Sequence, residues 1–112
     1  MKVFLDNCVD RRFGRSIVGH DVSHALDHGW DKLANGALLS ACEAEGIQVL
    51  VTVDKNMRFQ QNLAKRRLSL ITLDVRSIDL DSLTELVPAL LERLKIGVEQ
   101  GTSTILSPPS KP

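Results

Sequence analysis

Residues 47–54 read IQVLVTVD, an almost continuously apolar run rich in β-branched side chains that ends in an aspartate. β-Branched residues favour strands. A strand that is apolar on both faces is typical of the middle of a parallel sheet covered by helices on either side. Two further apolar runs, at residues 2–5 and 68–73, are also followed by an aspartate. The three runs therefore predict the inner strands of one parallel sheet.

Segments with helical spacing separate these runs. Helices are predicted over residues 9–18, 35–45 with Asn35 as N-cap, 57–67 with Phe59 and Leu63 paired, and from the capping-box sequence at Ser82 onwards. Pro88 lies inside the last pattern and predicts either a kink or a split into two helices. Weak strands at residues 20–26 and 102–106 complete an alternating order. This order predicts the α/β class, as a three-layer sandwich with a mainly parallel central sheet.

The length of 112 residues suits one domain, which we place at residues 1–106, followed by a mobile Ser/Pro-rich tail at 107–112. Cys8 and Cys42 lack the spacing of a metal site, so we expect small, reduced core residues. No apolar run is long enough to form a signal-peptide core or to cross a bilayer. We therefore expect a cytoplasmic protein without membrane contact.

The formal net charge is zero, which argues against a strongly basic polyanion binder. The zero is a cancellation, because residues 1–67 carry ten basic and eight acidic side chains, whereas residues 68–112 carry four and six. Basic residues follow two strand ends: Arg11, Arg12 and Arg15 in one segment, and Lys55, Arg58, Lys65, Arg66 and Arg67 in the other. They predict either solvated helix faces or a phosphate-binding edge. With one Trp and no Tyr, a stacking surface of several aromatic side chains is not expected.

The strand-end aspartates are the candidates for chemistry. Carboxyl ends of parallel strands meet at one edge of a sheet, where ligands bind, so Asp6 and Asp54 should lie near each other. Carboxylates at such an edge suit Mg²⁺ or Mn²⁺, which can promote phosphodiester hydrolysis. Aspartate is also common wherever a strand ends in a turn, and both interpretations stay open at this point.

Five short segments resemble, in order and in spacing, the small PIN-like proteins related to VapC toxins. They are MKVFLDN at 1–7, GHDV at 19–22, GW at 29–30, LL at 38–39 and TVDKN at 52–56. The resemblance spans residues 1 to about 95 and implies a Mg²⁺- or Mn²⁺-dependent endoribonuclease, in many cases a toxin held by an antitoxin. It implies that Asp6 and Asp54 are the catalytic, metal-binding acids and that Asn56 stands where another carboxylate often occurs. Arg11, Arg12, Lys55 and Arg58 are then the expected RNA-phosphate contacts.

Two positions that often carry acids in that family hold Asn7 and Ala37 here. A site reduced to two carboxylates predicts weak metal binding, unless Asp31 or Asp74 completes it. The competing hypothesis is a catalytically inactive PIN-like protein that binds RNA or a protein. A phospho-acceptor receiver domain and a zinc site at His20, His24 and His28 are less consistent with the pattern. The partners to consider are RNA, an antitoxin-like protein and a second copy of the chain in a homodimer.

Overall fold

The computed structural model describes residues 1–60 and 62–108. The strands within these residues are β1 (Lys2–Leu5), β2 (Asp21–His24), β3 (Val49–Thr52), β4 (Ser69–Leu73) and β5 (Ser103–Leu106). The α-helices are α1 (Ala25–His28), α2 (Asn35–Ala44), α3 (Met57–Gln60), α4 (Leu80–Thr84) and α5 (Val87–Ile96). Two 3-10 helices cover Arg11–Ser16 and Leu63–Lys65. Residues 109–112 of the predicted tail lie outside the described part of the chain.

The five strands form one all-parallel sheet in the order β2-β1-β3-β4-β5. Every residue of β3 and β4 is buried, as expected for strands with a neighbour on each side and helices on both faces. The α/β class and the inner position of the 47–54 stretch are thereby confirmed.

The two faces of the sheet pack against different helices. On one face, Phe13 of the first 3-10 helix and Leu83 and Leu90 of α4 and α5 belong to one core cluster. On the other face, Leu39 of α2 and Met57 of α3 belong to a second cluster. The sheet is therefore the middle layer of a three-layer sandwich, as predicted.

The order of the strands creates a switch point between β1 and β3. From β1 the chain crosses to β2 on one side, whereas from β3 it crosses to β4 on the other. In open parallel sheets, ligands bind in the crevice that such a reversal leaves beyond the carboxyl ends of the strands. Asp6 and Asp54 follow the two strands that flank this crevice.

The first crossover is tighter than the sequence pattern predicts. A 3-10 helix at Arg11–Ser16 replaces the expected helix at 9–18, and the Asp10 carboxylate caps it by accepting from the Arg12 backbone N–H. A Cβ added at Gly14 would lie 3.3 Å from Val22 Cγ1, because this helix runs close over the sheet. The close approach, rather than helical periodicity, sets the local structure.

The predicted helix at 57–67 is also wrong. The structure has α3 at Met57–Gln60 and a separate 3-10 helix at Leu63–Lys65, while residue 61 of the prediction lies outside the described residues. Leu63 is buried, but Phe59 is 74% exposed. The expected Phe59–Leu63 pair does not form, since the two side chains face different environments.

Elsewhere, the residues that begin and cap the helices differ from the predicted ones. The pattern around Pro88 is split into α4 and α5, with the proline in the first turn of α5, where its missing N–H costs nothing. Asp79, not Ser82, caps α4 by accepting from the Ser82 N–H. Ala34 rather than Asn35 occupies the N-cap of α2, without a side-chain cap hydrogen bond. Among the described residues, no helix combines the length and apolarity needed to span a bilayer.

Candidate functional site

The two predicted acids are joined through a buried threonine. The Thr52 hydroxyl donates to Oδ2 of Asp6 at 2.8 Å and accepts from the backbone N–H of Asp54 at 3.0 Å. Asp6 itself is held in place by its backbone N–H, which donates to the Val51 carbonyl at 2.9 Å. Because Thr52 is fully buried, this link fixes the Asp6 carboxylate relative to the backbone that carries Asp54.

Cys8 belongs to the same network. Its thiol donates to Oδ2 of Asp6 at 3.4 Å and lies 3.5 Å from the Thr52 hydroxyl. Burial raises the pKa of the Cys8 thiol, and the negative charge of Asp6 raises it further. The thiol therefore stays protonated near neutral pH and acts as a donor to Asp6. The expectation of two core cysteines is correct for Cys42, which is buried, but wrong for Cys8, which is exposed overall; both are free.

The oxygens of the two acids differ in how fully they are used. Oδ1 of Asp6 accepts from the Asn7 N–H, and Oδ2 accepts from Thr52 and Cys8. Oδ1 of Asp54 accepts from the Asn56 N–H at 2.9 Å, and within the described residues its Oδ2 has no donor. One or two carboxylates, completed by water and a substrate phosphate, are a common ligand set for Mg²⁺. Oδ2 of Asp54 is thus the oxygen of this pair of acids that lacks a protein donor in the described structure.

A third acid does not complete this set. In residues 1–60 and 62–108, no group of three or more His, Cys, Asp or Glu side chains is arranged to hold a metal ion. Asp31 is half-buried and lies outside any such group, and Ala37 is exposed in the first turn of α2.

Asp74 is engaged in an ion pair instead. Lys55 Nζ lies 2.7 Å from its Oδ1, and the Ser107 hydroxyl donates to its Oδ2 at 3.2 Å. The hydrogen bond and positive charge of Lys55 hold the pKa of Asp74 below its usual value. The pair lines a cavity of about 630 Å³ beyond the end of β4. Lys55 therefore neutralises the third strand-end acid rather than leaving it free for a cation.

The arginines that follow β1 line a second cavity, of about 460 Å³, with Arg11, Arg12 and Arg15 in its wall. Arg11 pairs with Asp27, and Arg12 pairs with Asp10 at 2.7 Å. The hydrogen bonds from Arg12 lower the pKa of Asp10 to about 2. Arg15 is exposed and has no ion pair within the described chain. The positive excess of this wall is therefore smaller than the sequence alone indicates.

The second basic segment divides into two parts with different roles. Arg66 pairs with Glu43 of α2 at 2.7 Å and also donates to Ser40, and the Arg67 backbone N–H donates to Glu43. These bonds attach the end of the second 3-10 helix to α2. Arg66 and Arg67 therefore have a structural role. Lys55 and Arg58, by contrast, remain beside the strand-end acids.

Arg58 and Phe59 form a contact that the sequence pattern does not indicate. The Arg58 guanidinium carbon lies 4.4 Å from the centre of the Phe59 ring, within the range of a cation–π contact. Helical periodicity places Phe59 in the core, so sequence reasoning missed it. A usable signal was its position directly after Arg58 and five residues after Asp54.

The three histidines occupy three different local structures. His24 ends β2, and its side chain caps α1 and lies 2.7 Å from the Val9 carbonyl. His28 stacks on Trp30 with ring centres 4.2 Å apart, and His20 precedes β2. The spacing of four residues therefore does not place them on one helix face.

Compared with family models, with curated proteins and with solved structures, the chain finds no match.

Proposed function

We propose that this chain is a PIN-like, metal-dependent ribonuclease, acting as a toxin held by an antitoxin-like protein. The observation that carries the proposal is the Thr52 hydroxyl link between Asp6 and Asp54 at the switch point of a parallel sheet. A buried hydroxyl that orients one carboxylate and anchors the loop bearing another supports a site built for precise placement of acids. A turn residue that merely ends a strand needs no such link.

The residues divide into two roles under this proposal. Asp6 and Asp54 hold a Mg²⁺ or Mn²⁺ ion, and the Asn56 amide oxygen assists them. When bound, such an ion neutralises charge on a phosphodiester and activates water for hydrolysis. The cations that follow β1 and β3, which are Arg11, Arg12, Arg15, Lys55 and Arg58, attract the phosphates of the RNA and hold its backbone. With only two carboxylates, the site would hold such an ion weakly.

An RNA-cleavage assay with Mn²⁺ tests the proposal. The parent chain should cleave single-stranded RNA only when Mn²⁺ or Mg²⁺ is added, and Asp6→Asn should abolish cleavage. Asp21→Asn is the matched control, because it removes the same charge from an exposed residue at the amino end of β2. Equal cleavage by the parent and Asp6→Asn, or cleavage independent of metal, would refute the ribonuclease proposal.

A second candidate is a metal-free PIN-like module that binds RNA or a protein. The observation that favours it is that Asn7, Thr52 and Cys8 already donate to the Asp6 carboxylate, and that no group of three metal-ligating side chains is present in the described structure. Calorimetric titration with Mn²⁺ separates the candidates. Millimolar or tighter binding that is lost in Asp54→Ala favours the nuclease. Undetectable metal binding, with RNA binding unchanged in Asp54→Ala, favours the module.

The protein partners are tested apart from the chemistry. Light scattering after size exclusion measures whether the chain forms a homodimer. An antitoxin-like partner should suppress the cleavage that the RNA assay with Mn²⁺ measures. If the chain does not cleave RNA, it has no activity on which an antitoxin could act.

A further inference from the structure

Phe59 is placed where burial of an aromatic ring would be expected and does not occur. Its ring is 74% exposed, the highest value among the exposed large apolar side chains of the described residues, and the only aromatic one among them. Met57, two residues earlier in α3, is fully buried. The helix is therefore anchored to the core by Met57, while the aromatic ring is held out towards solvent.

The position of Phe59 relates it to the acidic site. α3 begins three residues after Asp54, and the Asn56 N–H that starts its first turn donates to the Asp54 carboxylate. The backbone N–H of Phe59 in turn donates to the Asn56 carbonyl at 3.0 Å. Phe59 thus belongs to a hydrogen-bonded turn that is fixed to Asp54, so its backbone has a defined position relative to that acid.

The two faces of the ring differ. The Arg58 guanidinium covers one face at 4.4 Å from the ring centre, whereas the high exposure of the side chain leaves the other face open. In the described structure Arg58 has no carboxylate partner, and its charge contributes to lowering the pKa of Asp74. Arg58 is therefore the unpaired cation beside the ring, whereas Lys55 is engaged by Asp74.

This combination selects among the ligands that could cover the ring. An apolar protein helix needs a continuous apolar stripe, yet the accessible residues that precede Phe59 in the chain are Lys55, Asn56 and Arg58, which are polar or charged. An unpaired nucleobase presents a flat π face to the ring and carries its negative charge on the adjacent phosphates. The unpaired Arg58 guanidinium beside the ring complements those phosphates.

We propose that Phe59 is a stacking platform for one unpaired nucleobase, with Arg58 on the opposite face of the ring and with an adjoining phosphate on Arg58. The inference rests on the proposed function, in that it places the nucleic acid beside Asp54. It adds a base-binding residue to a site otherwise described by acids and cations. It is compatible with the expectation that a stacking surface of several aromatic side chains is absent, because it needs only one ring backed by an arginine.

The test is a binding measurement that needs no cleavage. Fluorescence anisotropy in EDTA compares a fluorescein-labelled hexa-adenylate with an abasic hexamer of equal charge. The parent chain should bind the base-containing oligomer roughly five- to a hundredfold more tightly than the abasic one, the range expected for one stacked base. Phe59→Leu should remove that preference and leave abasic binding unchanged, whereas Phe59→Tyr should keep it. Ile96→Ala is the control, because it shortens another highly exposed apolar side chain at the end of α5.

The outcomes separate this inference from the proposed function. Equal binding of the two oligomers by the parent chain overturns the platform without a variant having to be made. Loss of abasic binding in Phe59→Leu also overturns it, since the ring would then only position Arg58. Metal-dependent cleavage that requires Asp6, together with no effect of Phe59→Leu, leaves the nuclease standing and removes the platform. A base preference that depends on Phe59, in a chain that does not cleave RNA, supports the platform and removes the nuclease.

Discussion

Replacing Thr52 with valine tests the link between the two strand-end acids. Thr52 and Thr72 lie side by side in register on β3 and β4, and both are fully buried. The Thr52 hydroxyl bonds the Asp6 carboxylate at 2.8 Å and the Asp54 N–H at 3.0 Å. The Thr72 hydroxyl has no hydrogen-bond partner among the described residues. The chain therefore contains a matched pair of isosteric Thr→Val changes, one of which removes bonds and the other removes none.

The expected effects have opposite signs. A hydrogen bond to a charged group contributes about 1.5–3 kcal/mol and a neutral one about 1 kcal/mol, so Thr52→Val should lower the free energy of unfolding by about 2–4 kcal/mol. An unsatisfied buried hydroxyl costs about 1–3 kcal/mol, so Thr72→Val should raise the free energy of unfolding or leave it unchanged. The two variants should therefore differ by at least about 2 kcal/mol.

Urea unfolding measures both values. Trp30 is the only tryptophan and packs against the second core cluster, so its fluorescence should report the transition, with circular dichroism as a second probe. The two variants should have the same m-value and different midpoints, because neither changes the surface exposed on unfolding. If Thr52→Val were as stable as Thr72→Val, or more stable, the Thr52 link would not be a structural element of the site.

Three further outcomes follow from the same structure. Asp6→Asn should lower the pKa of the Cys8 thiol, because the Asp6 charge raises it, and should therefore speed alkylation by iodoacetamide at pH 8; an unchanged rate would contradict the contact. Glu43→Gln removes the partly buried pair with Arg66 and should cost about 1–3 kcal/mol of unfolding free energy at pH 7. Because Arg66 holds the pKa of Glu43 below its ordinary 4.5, this stability is present above that pH and lost as pH falls through the lowered value, so thermal melts of the parent and the variant should converge in acid; a constant gap would count against the pair. Ala37→Glu should tighten calorimetric Mn²⁺ binding, since one added charge about 4 Å from a divalent ion contributes about 2 kcal/mol in a water-like dielectric; unchanged affinity would show that the first turn of α2 does not face the ion.

The strands could be predicted because their signal is local. The stretch at 47–54 is apolar at nearly every position, and only a strand covered on both faces buries all of them. Asp6 and Asp54 could be placed at one edge for the same reason, since parallel pairing brings carboxyl ends together. The sequence pattern also indicated that Pro88 would interrupt its helix, because proline has no N–H to donate inside a helix.

The helices that cross the sheet were predicted less well. The 9–18 segment has helical spacing, but its close approach to the sheet at Gly14 gives a 3-10 helix. The 57–67 segment is also periodic, but its described residues form α3 at Met57–Gln60 and a separate 3-10 helix at Leu63–Lys65, and Phe59 is exposed. The local structure of a short crossover depends on the distance that it spans and on the surface that it packs against. The hydrophobic periodicity of the sequence gives information on neither.

The pairing of charges is the other part that sequence could not supply. Nothing local indicates that Lys55 neutralises Asp74, that Arg11 meets Asp27, or that Glu43 binds the second 3-10 helix. These partners are 16 or more residues apart in the chain and meet only when the strands are in register.

The sequence by itself determined the parallel sheet, its inner strands and the edge at which Asp6 and Asp54 lie. Hydrophobic burial and backbone pairing depend on residue type and spacing, which the sequence contains. Only the tertiary structure decided that Thr52 and Cys8 complete the Asp6 environment, that Asp74 is neutralised, and that Phe59 is exposed beside Arg58. Hydrogen bonds and ion pairs depend on distances of a few ångströms between residues remote in the chain, and the packing of the three layers sets those distances.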